Sequence, residues 1–383
     1  MRFISVIKIV KELTIRIFTL GVIASVIYGC TTPLDNEVAT GEQKYVVYGY
    51  IHNGEPPYTV EINRSQLYSG RLNGIISISG AIVTLHEEGG AEEILQEVAP
   101  GQYQSCTKEI QGTPGKAYWV SVFLPSRGFS YVSAREVMPE PVVINDLEIE
   151  PAVRDIISPG DFQVEQEGLI VKVSFDDDPE QSNQYFIKYK GTYSVTTRPQ
   201  DAVAGAGGQF TVPAPEPCSG YIYNENQGLI QVEECKCCVC WIVEDLADPI
   251  LLDDDRFAGN TIQGLEVVFV PNGAGSQRVG NDYWIGAELR NMTAGAWDYW
   301  DVLLKQKNGD GTIFQPPPSP LPGNIIAEGE APQALGYFYA ASRDIYGISG
   351  EQLIPMGPSE NEQDFSCLRY DNSVNVKPDY YPY

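Results

Sequence analysis

Apolar residues recur mainly at every second position of this chain, in short runs separated by glycine and proline. After Lys44, such a run covers residues 45–51, and a second one covers residues 58–62 after the break at residues 54–57. Alternation places successive side chains on opposite faces of a strand, and glycine and proline end strands. With 37 Gly and 27 Pro among 383 residues, the sequence predicts a mainly β fold of many short strands.

These runs fall into two regions of the sequence. Because the chain is also longer than that of a usual single domain, at least two domains are expected. Residues 44–141 carry strand-like runs with turns at Gly89-Gly90 and Pro100-Gly101, a spacing typical of an immunoglobulin-like β-sandwich. Residues 142–383 are predicted to form a second, larger β-rich domain. Its clearest strands are expected at residues 169–175, 185–189, 228–232, 264–270 and 283–289.

One short helix is expected in the second domain. Thr293 is a capping residue, Trp297 and Trp300 share a face at helical spacing, and Asn308-Gly309 supplies a stop. The two tryptophans are interpreted as core residues.

Two long segments rich in Gly or Pro are predicted to be exposed loops. Residues 202–220 are interpreted as an irregular loop and residues 316–322 as an extended, proline-rich connection. Long loops in a compact chain are often functional, so these two are expected to contact a partner.

The first 29 residues have the order of a signal peptide. Four cations precede an apolar run over residues 17–28, which ends at Gly29-Cys30. Residues 27–30 resemble a lipobox, and a polar tether over residues 31–43 follows. The pattern predicts export, removal of residues 1–29, and a lipid anchor on Cys30 that attaches the chain to a membrane.

The chain is strongly acidic, with a formal charge of −26. Removal of residues 1–29, which hold four cations and one acid, would bring the charge to −29. Such a surface repels phosphates, so nucleic acid is not an expected partner.

Seven cysteines besides Cys30 are candidates for disulfides, because export places them in an oxidising compartment. Since seven is odd, at least one thiol stays unpaired or pairs between chains. Neighbouring cysteines of a strand point to opposite faces, so the cluster near residue 237 is expected to bond to distant partners, including Cys218. The candidates are Cys106, Cys218, Cys235, Cys237, Cys238, Cys240 and Cys367.

No catalytic constellation, cofactor or metal site is predicted. His52 and His86 are the two histidines, and both are interpreted as surface residues of strands. The acidic runs at residues 176–178 and 253–255 lack the spacing of a calcium loop and are interpreted as solvated turns. A glycosidase needs only two carboxylates, so a secreted hydrolase stays an alternative.

Several short motifs follow one another along the chain, at residues 46–51, 80–85, 131–139, 175–179, 183–185, 237–241, 316–324 and 335–338. Their order resembles that of a family of outer-membrane lipoproteins, domain of unknown function 4249. The resemblance implies an envelope lipoprotein that assists a TonB-dependent, SusC-like receptor. We therefore expect an accessory or binding component of nutrient uptake at the outer membrane, with a hydrolase or a structural envelope protein as alternatives.

The anchor can be tested by the substitution Cys30→Ser. We expect the variant to lose fatty-acid labelling and to leave the membrane fraction, because the lipid is the predicted attachment. Labelling equal to that of the wild type would contradict the prediction.

Overall fold

The structure is a computed structural model that describes residues 43–66, 76–157, 162–204, 212–254, 257, 259–272, 283–309, 320–349 and 363–383. The predicted signal peptide, Cys30 and the tether as far as residue 42 lie outside the described residues. Residues 205–211 and 316–319 of the two predicted loops lie outside them as well.

Within the described residues the chain forms 24 strands and one α-helix, α1 (Ala294–Lys307). The strands are β1 (Tyr45–His52), β2 (Thr59–Arg64), β3 (Ile76–Ser77), β4 (Ile82–Glu87), β5 (Glu92–Ile94), β6 (Gln96–Ala99), β7 (Gln102–Gln104), β8 (Ala117–Leu124), β9 (Phe129–Ser133), β10 (Glu136–Val137), β11 (Ile144–Ile157), β12 (Gln163–Asp176), β13 (Gln184–Thr196), β14 (Val203–Ala204), β15 (Val212–Pro213), β16 (Tyr221–Asn224), β17 (Gly228–Gln231), β18 (Val239–Glu244), β19 (Ile250–Asp253), β20 (Thr261–Pro271), β21 (Trp284–Met292), β22 (Ile325–Glu328), β23 (Phe338–Ser349) and β24 (Ser373–Val374). The predicted fold class, mainly β with one helix, is confirmed.

The largest sheet, sheet A, runs through both predicted regions. Its strand order is β24-β18-β13-β21-β23-β1-β2-β7-β6, with β19 beside β13 and β3 beside β2. The pair β1–β23 is parallel, with Gly49 opposite Phe338, whereas β21 and β23 are antiparallel. Sheet A therefore joins the first strand of the described chain to one near its end.

A first core lies between sheet A and sheet B, which has the order β22-β9-β8-β4-β5 with β10 beside β8. Val47 and Ile51 of β1 and Phe338 of β23 pack in this core with Val120 and Tyr131 of sheet B. Strands β22 and β23 come from beyond residue 141, so the two predicted regions share strands in this sandwich.

A second core lies between sheet A and the three-stranded sheet C, with the order β11-β12-β20. Val171, Val173 and Phe175 of β12 pack with Ile285 and Leu289 of β21 in one buried cluster. Because side chains of a strand alternate between faces, the remaining residues of β21 point to the other face of sheet A.

Helix α1 packs on the face of sheet A that points away from sheet C. Thr293 caps it by accepting a hydrogen bond from the backbone N–H of Ala296, as predicted. Trp297 and Trp300 are half-buried and pack against a cluster that includes Phe186 and Tyr339, so they lie at the border of the core that was predicted for them. Within the described part of the chain, the helix is too short and too polar to cross a bilayer, and no other helix there is a candidate.

The cluster that includes Phe186, Tyr339 and the two tryptophans is called the aromatic layer below, and a buried ion cluster lies on the same face of sheet A. The Glu288 carboxylate lies 2.6 Å from Arg290 Nε and 2.9 Å from Lys190 Nζ, and its side chain is fully buried. Arg290 also donates hydrogen bonds to the hydroxyls of Tyr339 (3.0 Å) and Tyr50 (3.1 Å). Burial alone would raise the pKa of Glu288, but Arg290 and Lys190 hold it well below its usual value.

The junction of β1 with the segment before β23 can be tested at a glycine. Gly336 has φ +105°, and a Cβ there would lie 2.0 Å from the carbonyl oxygen of Val47. Gly329 is a matched control, since its φ is +61° but the space around it is open.

We expect Gly329→Ala to lower the free energy of unfolding by about 1–2 kcal/mol, the cost of a left-handed backbone for alanine. Gly336→Ala should cost about 1–3 kcal/mol more, because the added methyl group also overpacks the strand junction. Urea unfolding followed by tryptophan fluorescence measures both variants. Equal losses would contradict the assigned close approach.

Candidate functional site

The outer face of sheet B is the strongest candidate for a binding surface. It consists of the side chains of β4, β5, β8, β9 and β22 that point away from the first core. A half-buried sheet normally places polar residues on its solvent side. Here many of those positions are apolar: Ile82, Ile94, Trp119, Phe123, Val132 and Ile326.

The strand register sets these residues side by side. Thr84 lies opposite Ile94 and Ser121, and Val132 lies opposite Ser121 and Ile326, so one row crosses all five strands. In the next row Ile82 lies opposite Phe123. Directly opposed side chains are neighbours, so the apolar residues form one surface interrupted by small hydroxyl groups.

The apolar side chains of this surface are open to solvent. Ile94 is 67% exposed, Ile326 55%, Ile82 46% and Phe123 40%. Single exposed apolar residues are common, but neighbouring ones on a regular sheet mark an interaction site. The sequence contains a pattern that indicates this face: residues 117–124 are nearly all apolar, whereas a strand buried on one side would alternate apolar and polar residues.

An aromatic stack borders the same face. The His86 ring stacks on Trp119 with a centroid distance of 5.2 Å, and the Arg135 guanidinium lies 4.1 Å from the Trp119 ring centroid. His86 is held by Ser121 Oγ (2.8 Å) and by Glu92 (3.1 Å). The interpretation of His86 as a surface strand residue is confirmed. The stack adds a rigid aromatic edge, and Trp and Arg are frequent in binding hot spots.

The same interpretation is wrong for His52. This residue is the last of β1, it is buried, and its Nδ1 accepts a hydrogen bond from the backbone N–H of Gly54 at 3.1 Å. Burial, reinforced by Arg343, lowers the pKa of His52 to about 3, so its ring is neutral at ordinary pH. Its packing edge-on against Tyr58 makes it part of the structure.

The two acidic runs lie near each other, and Asp177 is not a solvated turn residue as predicted. Asp177 is buried and accepts hydrogen bonds from Tyr185 Oη, from the backbone N–H of Gly259 and from Asn183 Nδ2. Asp254 in turn accepts a hydrogen bond from the backbone N–H of Asn183. Burial would raise the pKa of Asp177, but these donors outweigh it and lower the pKa.

This network ties β12 and β13 to the turn before β20, so its role is structural. Among the described residues, which exclude Asp255, no group of three or more His, Cys, Asp or Glu side chains is placed to hold a metal ion.

Six of the seven candidate cysteines are paired in the structure. The disulfides are Cys218–Cys237, Cys235–Cys238 and Cys240–Cys367. Cys235 and Cys238 bond within the cluster, in contrast to the expectation of distant partners, while Cys218–Cys237 and Cys240–Cys367 follow it. Cys106, the remaining candidate disulfide cysteine, is exposed and unpaired.

The disulfides hold a region with few other buried apolar residues. Its core cluster consists of Cys237, Cys240 and Cys367, all fully buried. The segment predicted as an irregular loop, residues 202–220, includes Cys218 of this region. Its described residues, 202–204 and 212–220, are more ordered than expected, since they contain the pair β14–β15 and the 3₁₀ turn Pro217–Ser219.

The fold and the surface together define a multi-sheet β protein with an exposed apolar sheet face and a disulfide-held region. The family model for the domain of unknown function DUF4249 matches residues 31–345. The chain therefore belongs to the DUF4249 family, as the sequence motifs predicted. No curated protein and no solved structure gave a significant match.

The disulfides close loops of different lengths, which predicts how much each one contributes to the free energy of unfolding. Cys240 and Cys367 are 127 residues apart in sequence, whereas Cys235 and Cys238 are three apart. We expect the double variant Cys240→Ala/Cys367→Ala to lose about 2–5 kcal/mol of unfolding free energy, because a long crosslinked loop restricts the unfolded chain strongly.

The matched control, Cys235→Ala/Cys238→Ala, should lose clearly less when both variants are unfolded in urea without reductant. An equal or larger loss in the control would contradict this order.

Proposed function

We propose that the protein is a lipid-anchored binding component of the outer membrane that docks on a TonB-dependent receptor and assists nutrient uptake. In this proposal it acts by binding and not by catalysis. The outer face of sheet B is the docking surface.

Two features of the sequence support the location. The basic and apolar N-terminal segment ends at Cys30 in a lipobox-like motif, and a polar tether separates that cysteine from β1. A lipid chain contributes about 0.8 kcal/mol per buried methylene, so an acylated Cys30 would hold the folded part close to a membrane. Membership of the DUF4249 family is consistent with this location, since the sequence resemblance implied an envelope lipoprotein.

The exposed apolar row of sheet B is the observation that carries the proposal. Burial of a large aliphatic or aromatic side chain contributes about 1.5–3 kcal/mol, so the exposed Ile82, Ile94, Phe123 and Ile326 represent a substantial driving force for association. The surface is a regular sheet, so its backbone is already ordered and binding loses no backbone entropy of a flexible loop.

The test uses the double variant Ile94→Lys/Ile326→Lys, which places two cations at opposite ends of the apolar row. Both side chains are more than half exposed, at 67% and 55%, so the fold should be kept. The protein is purified from solubilised membranes, and a copurifying TonB-dependent receptor is quantified by mass spectrometry. We expect the variant to recover at least about tenfold less receptor, since each lysine costs on the order of 1 kcal/mol or more at an apolar interface.

The control variant Ile222→Lys/Val376→Lys makes the same change in charge at exposed apolar residues outside sheet B. The amount of receptor that copurifies with this control should equal that of the wild type. Equal recovery with the sheet B variant would refute the docking surface, and absence of any such receptor from the wild-type sample would refute the partnership.

A further inference from the structure

Strands β11 and β12 extend beyond the sheet that they belong to. Each has 14 residues, and they pair along their whole length, from Ile144 opposite Phe175 to Ile157 opposite Gln163. The neighbouring strand β20 accompanies β12 as far as Gly168, which lies opposite Pro271. The paired residues 153–157 and 163–167 thus form a two-stranded extension of about 17 Å, at about 3.4 Å per residue. We call this extension the arm.

The last described residues at the end of the arm have exposed apolar side chains, and we call these residues the apolar tip. Ile157 is 75% exposed and Phe162 is 72% exposed, and Val164 lies directly opposite Ile156 on the other face of the ribbon. None of these four residues belongs to a core cluster of the described chain. A two-stranded ribbon is marginally stable alone, and an apolar tip in water gives this one no stabilisation. Such a tip is typical of a segment that is buried by something else.

Acidic residues follow the apolar tip along one face of the arm. Asp155 and Glu165 are directly opposed across the ribbon, and Glu167 is the next residue of β12 on that face. Like charges that face each other across two strands destabilise their pairing. Arg154, the cation beside Asp155 in sequence, points to the opposite face, where it is paired with Glu266 at 2.6 Å and lies over Phe269.

This arrangement restricts what can bind the arm. A cationic surface would relieve the repulsion between Asp155 and Glu165, and an apolar pocket would bury Ile157 and Phe162. A second copy of the chain is a poor match because its formal charge is −26. An anionic lipid surface would repel the acidic face in the same way.

We propose that the arm is a docking element for a protein partner that offers an apolar pocket bordered by lysine or arginine side chains. The arm residues belong to sheet C and not to sheet B, so this inference goes beyond the receptor-docking surface proposed above.

The test places a photo-crosslinking amino acid at Phe162 of the full chain in cells that normally produce it. Irradiation should give one discrete protein adduct, and mass spectrometry of the crosslinked peptide should place it beside Lys or Arg residues of the partner. The same amino acid at Val376, which is 70% exposed in the C-terminal segment, is the control position and should give no adduct of that mass.

Charge variants in the crosslinking background test the acidic face. Asp155→Lys/Glu165→Lys should lower the adduct yield at least about tenfold, because like charges across an interface are strongly unfavourable. Asp155→Asn/Glu165→Gln should lower it less. Unchanged urea unfolding midpoints would show that the fold is kept, and receptor copurification through sheet B should not change.

Several outcomes would overturn the inference. These are no adduct at residue 162, an adduct with a second copy of the chain, an adduct with lipid alone, or a protein adduct whose yield is insensitive to the charge reversal. Loss of receptor copurification in the sheet B variant with an intact arm adduct would separate the two proposals.

Discussion

The parallel pairing of β1 with β23 holds the two halves of the molecule in one sheet. Backbone hydrogen bonds from Val47 N to Leu335 O (3.0 Å) and from Leu335 N to Tyr45 O (2.8 Å) extend this junction toward the preceding segment. Strand β1 contributes Val47 and Ile51 to the first core, and Tyr48 and Tyr50 to the aromatic layer that includes α1. The first core and the aromatic layer therefore both depend on the β1–β23 pairing, which joins residues almost 300 positions apart in sequence. Such non-local pairing slows folding.

The ion cluster on the other face of sheet A fixes the register of the strands beside that junction. Glu288 and Arg290 are two residues apart on β21, and Lys190 lies on the neighbouring β13. A slip by one residue would turn these charges toward the apolar core that holds Ile285, Ala287 and Leu289. Since a buried charge without a partner is very costly, the cluster excludes that alternative register even if the pair itself adds little stability.

The sequence predicted local structure well where alternation or capping is strong. Strands β1, β2 and β21 and the helix capped by Thr293 lie where their patterns indicated. Strand β11 was not predicted, because its core-facing residues are interrupted by a bulge near Ile144 and its outer half is exposed. Which strands pair and which cysteines bond was predicted less well, since pairs such as β1–β23 and Cys240–Cys367 join distant parts of the chain. The outer face of sheet B was not predicted, although residues 117–124 are nearly all apolar.

The three sheets cover their outer faces in different ways, and this difference gives the function proposal its physical basis. Sheet A carries the aromatic layer and α1. Sheet C follows the usual rule of polar residues facing solvent: Lys172 lies between Glu148 and Glu266 of the adjacent strands and pairs with Glu150. Among the described residues, no further layer covers the outer face of sheet B and many of its positions are apolar, although its inner face is buried like that of sheet C.

A chain with 51 acidic residues does not lack polar side chains with which to cover such a face. Glu92 and Glu328 do lie on this face, but aliphatic and aromatic side chains occupy neighbouring positions on its five successive strands. Solubility alone would favour the opposite distribution, since exposed apolar patches promote aggregation. The apolar composition of this face is therefore best explained by a surface that becomes buried, and the same reasoning applies to the tip of the arm.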